Sequence, residues 1–277
     1  MTHEYRVSSN SFDLRTAVTC GQVFRWEEPT PGLIQGVDGD HWFRAVESEG
    51  AWSITSNASL PQFNTFSGLD TDDGAVRAAI GEALPELREL VRLHTNLRLL
   101  RPSCWIEASF SFLCSSNNHI KRIGHMVNHL ASYGPPLTSS PFQTTRFPGI
   151  ETLAMLEEGQ LREAKFGYRA KTIPAVAKSL SLQSRPPNGV ELETWLASME
   201  GIGPKLAACI AIYAFHDGRA VPLDVHMKRA FVHFGLAQSM SETDLREGVK
   251  RFKDVLHENA AYAQLLMFHD QRMRTLR

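Results

Sequence analysis

The segment that most restricts how this chain can fold is a glycine turn, Gly201-Ile202-Gly203, placed between two helical patterns. Two glycines one residue apart permit backbone angles that other residues rarely adopt, so the segment predicts a tight turn. Pro204 suits a first helical position, and residues 205–215 are mostly good helix formers without glycine or proline. Residues 193–199 also predict a helix. The sequence therefore predicts a helix-hairpin-helix at about residues 192–215.

A hairpin of this kind can bind a phosphate group. Its glycines expose successive backbone N–H groups, and the helix that follows adds unpaired donors and a partial positive charge. A plain connection between helices is the simpler interpretation of a lone Gly-x-Gly motif. Lys205, two residues after Gly203, favours the functional interpretation because an amine at this position can serve as a nucleophile, although taken singly it would be a solvated surface lysine.

A carboxylate, Asp224, follows Lys205 after nineteen residues, within the largely apolar segment 221–226. Its apolar neighbours predict a partly buried segment that ends before a helix beginning at Met227. Aspartate is a favoured N-cap residue, so a purely structural role is one interpretation. A capping carboxylate is also held in a fixed position, so the structural role and a chemical role are compatible.

Composition limits the possible classes of protein. The net charge of −1 argues against a strong non-specific nucleic-acid binder, since such proteins are usually basic. Backbone phosphate contacts relax that requirement, and five basic residues lie between positions 162 and 178, although such a group on helices is often only a solvated face. There is no apolar run of membrane length and no cleavable signal at residues 1–4, so we expect a soluble intracellular monomer.

The cysteines give no sign of a metal centre. Cys20, Cys104, Cys114 and Cys209 lie far apart, without a C-x-x-C pair, so neither a zinc site nor an iron–sulfur cluster is indicated. We expect reduced thiols, no metal and no cofactor.

The pattern of apolar residues predicts an α+β fold. Short alternating runs predict an N-terminal antiparallel sheet, and a helical pattern begins at Asp72. The expected strands are Phe24–Trp26, 32–37, 41–47 and 51–56, with a hairpin turn at Asp38-Gly39-Asp40. We expect a β subdomain with a flanking helix at residues 1–98 and a helical region at 99–277, whose two lobes hold the site between them. Segments 135–149 and 184–189 are rich in proline, serine and threonine and are predicted to be loops that connect groups of helices.

Several motifs together resemble one enzyme family. The hairpin, Lys205 and the segment Val221–Met227 resemble the helix-hairpin-helix superfamily of DNA glycosylases, whose bifunctional members carry both a lysine and an aspartate. Segments Gly21–Trp26, Cys114–Asn118 and Phe166–Lys171 resemble the 8-oxoguanine DNA glycosylases. The similarity runs from about residue 11 to residue 272. Separate motifs in the expected order are much harder to obtain by chance than any one of them.

The resemblance implies an enzyme that excises 8-oxoguanine, expected opposite cytosine, from duplex DNA. A flipped nucleotide would enter the site, and Lys205 would attack the anomeric carbon of its deoxyribose. A Schiff base would follow, and β-elimination would then break the strand at the abasic site. Asp224 would accept a proton from Lys205 or stabilise the cationic sugar. Such an enzyme would act in the cytoplasm or nucleoid of a bacterium, or in a eukaryotic nucleus.

The resemblance also assigns further residues. In the base pocket, the Gly21 carbonyl would accept the N7–H that normal guanine lacks, Cys209 and Phe268 would sandwich the base, and Gln264 would bind its Watson–Crick edge. The residues implied in contacts with the rest of the DNA are Asn117 in the gap left by the nucleotide, Tyr168 as a wedge, Arg122 and Arg169 at the opposite cytosine, and Gly201, Gly203 and His226 at phosphates.

The chain departs from the family pattern beside the hairpin. Glu200 stands where a proline commonly precedes the turn, and Pro204 lies directly before the lysine. An acidic residue next to a phosphate site could weaken DNA binding. Two other functions stay open: a glycosylase for another damaged base, and a non-catalytic DNA-binding module. The presence of both Lys205 and Asp224 argues against the second.

Overall fold

The N-terminal part of the chain forms a five-stranded antiparallel sheet in the computed structural model, which describes residues 1–186 and 188–275. The strand order is β1-β5-β4-β3-β2, so β2 to β5 form a meander and β1 pairs with β5 at the far edge. The strands are β1 (His3–Ser8), β2 (Trp26–Thr30), β3 (Leu33–Asp38), β4 (His41–Ser48) and β5 (Ala51–Ser56). The predicted turn is confirmed, since Asp38 pairs with His41 and Gly39 has a φ of 58°.

The sheet is covered on one face by aromatic side chains. Trp52 and Ile54 of β5 are buried at alternate positions, as the period of a strand requires. The Trp26 ring stacks on Phe66 at a centroid distance of 5.5 Å, and a Cβ at Gly36 would collide with that indole ring. Gly36 therefore makes room for the aromatic layer that holds the sheet to the following helix.

Fourteen α-helices contain about half of the described residues. In order, they are α1 (Leu14–Thr19), α2 (Leu60–Ser67), α3 (Asp73–Ala83), α4 (Arg88–Leu93), α5 (Trp105–Leu113), α6 (Ile120–Ala131), α7 (Ile150–Ala154), α8 (Glu158–Glu163), α9 (Arg169–Leu182), α10 (Leu192–Ala197), α11 (Pro204–Phe215), α12 (Val225–His233), α13 (Glu242–Leu256) and α14 (Ala260–Thr275). Helices α10 and α11, with the turn between them, form the predicted helix-hairpin-helix. The α+β fold class is confirmed.

The strand predicted at Phe24–Trp26 is displaced, because β2 begins only at Trp26. Phe24 instead packs in the helical core, and Arg25 forms a buried ion pair with Glu107 of α5 at 3.0 Å. Both side chains therefore join the sheet region to the helical region, and their segment is held out of the sheet ladder.

Two large hydrophobic cores hold most of the buried apolar residues that the structure describes. One lies under the sheet and is completed by residues of α12 to α14, from the far end of the chain. The other contains residues of α5 to α11. The boundary predicted at residue 98 stays a prediction. Pro187, in the predicted connection 184–189, and Leu276 and Arg277, at the end of the predicted helical region, lie outside the described residues. Within the described ranges, no helix is both long and apolar enough to cross a membrane.

Candidate active site

A cavity of about 350 Å³ opens where the two cores meet. Its walls come from the segment after α1, from α5 and α6, and from α11, α12 and α14. It contains seven of the residues assigned from the sequence, namely Gly21, Lys205, Cys209, Asp224, His226, Gln264 and Phe268. The volume falls within the range of small-molecule sites, so a single nucleobase is small enough to enter.

Lys205 reaches the cavity because the hairpin starts α11 at the cavity edge. Gly201 has a φ of 90°, and a Cβ there would collide with Thr172 of α9, so this turn requires glycine. Gly203 is the N-cap of α11, and a Cβ built on it would have no neighbour within 4 Å among the described atoms. The hairpin therefore packs on α9 through Gly201 and leaves its surface open at Gly203. Lys205 itself is half-buried.

Asp224 is fixed at the start of α12. Its Oδ1 accepts a hydrogen bond from the Met227 backbone N–H at 2.8 Å, which makes it the N-cap of the helix. Its Oδ2 has no hydrogen-bond partner in the part of the chain that the structure describes. The carboxylate is thus oriented by one oxygen while the other stays available at the cavity.

Cys209 lies one helical turn after Lys205 on α11 and is buried. Burial raises the pKa of its thiol to about 11, while the Lys205 charge lowers that pKa and the Asp224 charge raises it. Both charged groups therefore act on Cys209 across the cavity. A thiol with this pKa is protonated at physiological pH, so Cys209 gives the cavity an uncharged wall at this point.

Helix α14 supplies a further set of side chains that line the cavity. Gln264 is buried, and its side-chain amide forms no hydrogen bond with any described residue. Phe268 follows one turn later, with its ring edge to face against His226 at a centroid distance of 5.8 Å. Nδ1 of His226 is buried without a partner among the described groups. The cavity therefore presents an aromatic face together with polar atoms that are free to bind a ligand.

Gly21 lines the cavity from the segment between α1 and β2, with a φ of 106° that disfavours any side chain. Its carbonyl accepts no hydrogen bond from the described residues. A free backbone acceptor at this position is compatible with the donor-binding role that the resemblance implies.

The polar residues that line the cavity and that sequence reasoning did not assign include Tyr213 and Arg272. Tyr213 stacks on Phe112 at a centroid distance of 4.9 Å, and Arg272 binds the backbone carbonyl of Cys20. Each continues a four-residue spacing, from Lys205 and Cys209 on α11 and from Gln264 and Phe268 on α14. Since residues four apart share one face of a helix, this spacing was the signal that could have identified both.

The residues expected in the vacated gap, in the stack and at the opposite cytosine form a second group outside the cavity. Asn117 is exposed with a φ of 53°, and Tyr168 is 55% exposed. Arg122 donates to the Lys165 carbonyl at 2.9 Å, which connects α6 to the loop before α9. The structure therefore brings one exposed aromatic ring, one exposed amide and one exposed guanidinium to the same region.

Arg169 differs from its neighbours because it is only 5% exposed. It donates to the carbonyls of Leu113 and Ser116, in the segment that leads to Asn117, and its guanidinium lies 4.4 Å from the centre of the Tyr168 ring. Arg169 thus supports both Asn117 and Tyr168. Its contact with an opposite cytosine stays a prediction and would require an exchange of these hydrogen bonds.

Glu200 is neutralised in place. Lys171 of α9 binds it through Nζ and Oε1 at 2.7 Å, with both side chains mostly exposed. This pairing raises the pKa of Lys171 and lowers that of Glu200. The acidic residue beside the hairpin is therefore paired with a lysine of α9.

Comparison with known proteins agrees with this arrangement. The family model of the HhH-GPD superfamily base excision DNA repair proteins matches residues 110–253, a range that includes the hairpin, Lys205 and Asp224. The N-glycosylase/DNA lyase OGG1 of Arabidopsis thaliana is 31% identical over 273 residues, covering 90% of this chain and 74% of the plant protein.

Two solved structures have the same fold over nearly the whole chain. MBOgg1, in complex with a low-affinity DNA ligand, is 25% identical with a TM-score of 0.80, and the alignment covers 99% of this chain and 96% of that one. The 8-oxoguanine glycosylase/lyase of Clostridium acetobutylicum, solved with double-stranded DNA containing cytosine opposite 8-oxoguanine, is 21% identical with a TM-score of 0.83, covering 99% and 98%. Since the family model covers just over half of the sequence and the plant relative aligns with nine tenths of it, this chain belongs to the HhH-GPD superfamily of base excision DNA repair proteins.

Proposed function

We propose that this protein excises 8-oxoguanine from duplex DNA and then cleaves the strand at the abasic site. The observation that carries the proposal is that Lys205 and Asp224 line one cavity together with a neutral thiol, an aromatic ring and a free amide. The Arabidopsis relative is named for the same two reactions, N-glycosylase and DNA lyase. A nucleophile, a carboxylate and a base-binding wall are the parts that such a reaction sequence needs.

Lys205 is the proposed nucleophile. Its neutral amine attacks C1′ of the flipped nucleotide, and the bond from C1′ to N9 of the base breaks with its electron pair going to the base. Opening of the sugar ring at C1′–O4′ then gives a protonated Schiff base between Nζ and C1′. Loss of a proton from C2′ allows the C3′–O bond to break, which is the β-elimination that cuts the strand. One side chain therefore serves both steps.

Asp224 is proposed to act through its free oxygen. The cap bond to Met227 holds Oδ1, so Oδ2 can accept a proton from Lys205 or stabilise the positive charge that develops on the sugar. Both roles require a carboxylate that does not move away during the reaction. The N-cap position meets this requirement, because rotation of the side chain would break the cap bond.

Base recognition is proposed to depend on four residues. Cys209 and Phe268, from different helices, hold the base between them, and the amide of Gln264 binds its Watson–Crick edge. The Gly21 carbonyl accepts the N7–H of the oxidised base. Normal guanine would bring a lone pair against that carbonyl, and an unpaired buried acceptor costs about 1–3 kcal/mol.

The remaining residues are proposed to hold the DNA. The open N–H groups of the hairpin at Gly201 and Gly203, with His226, bind phosphates. Asn117 and Tyr168 are exposed, as residues that fill a vacated stack must be, and Arg122 with Arg169 contacts the opposite cytosine. We propose a monomeric enzyme that acts where the cell keeps its DNA.

The same cavity bears differently on the two other functions. A non-catalytic DNA-binding module needs the hairpin but has no use for Lys205 and Asp224 in one cavity. A glycosylase for a different damaged base would share both groups, so the choice of base depends on Gly21, Gln264 and Phe268. Duplexes carrying different lesions separate this alternative from the proposal.

The proposal is tested with duplexes that carry 8-oxoguanine opposite each of the four bases, with and without borohydride. The wild-type protein should excise the lesion, most rapidly opposite cytosine, and should form a reduced covalent adduct with the DNA. Lys205→Gln should abolish the adduct, while Lys250→Gln, at an exposed lysine of α13, should retain it. Equal trapping by Lys205→Gln would exclude Lys205 as the nucleophile. A wild-type protein that excises another base but not 8-oxoguanine would overturn the proposed substrate.

A further inference from the structure

The backbone around Gly21 is anchored from the helix that binds the base. Nη1 of Arg272 donates to the carbonyl oxygen of Cys20 at 2.9 Å. Arg272 lies on α14, four residues after Phe268 and eight after Gln264, and it lines the same cavity. One face of α14 therefore carries two residues proposed to touch the base and a third that touches the backbone next to Gly21.

The other side of Gly21 is anchored by Gln22, whose side chain is only 2% exposed. Its Nε2 donates to the carbonyls of Ala17 and Arg98 at 3.3 and 3.1 Å. Its Oε1 accepts from the Leu100 N–H at 2.9 Å. Gln22 thus uses both ends of its amide to fix the chain directly after Gly21.

Gly21 is the flexible residue between these two fixed points. Glycine has the widest choice of backbone angles, and its φ of 106° lies in a region that few other residues adopt. The direction of its carbonyl depends on how the neighbouring peptides are held, because no side chain of its own restricts it. Removal of either anchor would let the carbonyl turn while the rest of the cavity stays in place.

We propose that Arg272 is a positioning residue that determines the preference for oxidised guanine. By holding the Cys20 carbonyl, it keeps the Gly21 carbonyl directed at the N7–H of the base. This inference rests on the proposed function, since it assigns Arg272 to the recognition step of that reaction. Arginine suits the role because its guanidinium stays charged and forms a stronger, more directional bond to a carbonyl than a neutral donor does.

The test compares Arg272→Gln with Arg274→Gln. Arg274 lies on the same helix and pairs with Asp270 at 2.6 Å, but it does not line the cavity. Three quantities are measured: single-turnover excision of 8-oxoguanine opposite cytosine, the binding preference for 8-oxoguanine over guanine in uncleavable 2′-fluoro duplexes, and strand cleavage at a preformed abasic site. The last reaction needs Lys205 but no base in the pocket.

Arg272→Gln should slow excision by about 10–100-fold and narrow the binding preference by a similar factor, as expected for loss of a charged hydrogen bond. Cleavage at the preformed abasic site should fall far less, and Arg274→Gln should change neither the preference nor the excision rate. Arg272→Lys keeps a charged donor, so its excision rate and binding preference should lie between those of the wild type and Arg272→Gln. If the glutamine variant does not fold, the lysine variant is compared with the wild type instead.

Two results would overturn the inference. Equal loss of excision and abasic-site cleavage in the Arg272 variants would show a general structural role, and an unchanged preference for the oxidised base would show no role in recognition. Both are distinct from failure of the proposed function, in which the wild-type protein itself would not excise 8-oxoguanine.

Discussion

Replacement of Asp224 by asparagine separates the capping role of this residue from its chemical role. Asparagine is as good an N-cap as aspartate, so the hydrogen bond from Met227, 2.8 Å in the native protein, should be retained. The loss of negative charge at the start of α12 removes about 0.3–1 kcal/mol of favourable interaction with the helix dipole. The free energy of unfolding should therefore fall by about 1 kcal/mol or less, and the melting temperature by only about 2–4 °C.

The expected effect on catalysis is much larger. Removal of one preorganised group that stabilises the charge of a transition state typically slows the reaction by about 100–1,000-fold, or about 2.7–4 kcal/mol. Asp224→Asn keeps the shape of the side chain but can neither accept the proton of Lys205 nor stabilise a cationic sugar. The two magnitudes differ enough that a stability defect cannot account for the loss of activity.

A matched control is available at another helix start. Asp72 is the N-cap of α3, where its Oδ1 accepts from the Ala75 N–H at 3.0 Å, and it does not line the cavity. Asp72→Asn should reduce stability about as much as Asp224→Asn and leave excision unchanged. Denaturant unfolding gives the free energy of unfolding, and single-turnover assays corrected for the folded fraction give the excision rate. Normal excision per folded Asp224→Asn molecule would refute the chemical role and leave Asp224 as a structural cap.

Two further predictions concern DNA binding. Glu200→Gln should release Lys171 from its 2.7 Å ion pair, so that the protein binds undamaged duplex more tightly and the dependence of that affinity on salt concentration increases by about one released counterion. Glu242→Gln, in an exposed ion pair on α13, should change neither quantity. An unchanged salt dependence for Glu200→Gln would mean that Lys171 does not reach a phosphate. Arg122→Ala should reduce the preference for cytosine over adenine as the opposite base by about 1–3 kcal/mol, as calculated from single-turnover excision rates. Equal slowing of excision opposite all four bases would mean that Arg122 contacts the DNA backbone instead.

The elements that could be predicted from the sequence are those specified by neighbouring residues. The glycine hairpin, the turn at Asp38-Gly39-Asp40 and the cap at Asp224 each depend on a few consecutive positions, and the structure contains all three. β1 was missed because it is a short edge strand in which only two apolar residues, Tyr5 and Val7, alternate with polar ones and only Val7 is buried. α2 was missed although its start carries a capping box between Ser59 and Gln62.

Other features depend on residues far apart in the chain. The sequence predicts that Arg169 is exposed like the other basic residues between positions 162 and 178. Only the fold shows that it is buried against the carbonyls of Leu113 and Ser116. The core beneath the sheet is likewise completed by α12 to α14, which follow the sheet by more than 150 residues. No local pattern indicates such long-range packing, so a boundary inferred from local apolar patterns cannot reveal that the two ends of the chain share a core.

The site is divided between two helix faces that come from different cores. On α11, Lys205, Cys209 and Tyr213 are spaced four apart, and on α14 the same spacing relates Gln264, Phe268 and Arg272. The first face carries the proposed nucleophile and one proposed contact with the base, Cys209, and the second carries two more, Gln264 and Phe268. Because each face is fixed by the packing of its own helix, substitutions on α14 can change which base is accepted without displacing Lys205. The lyase step, which needs the nucleophile but not the base, should therefore tolerate changes on α14 that excision does not.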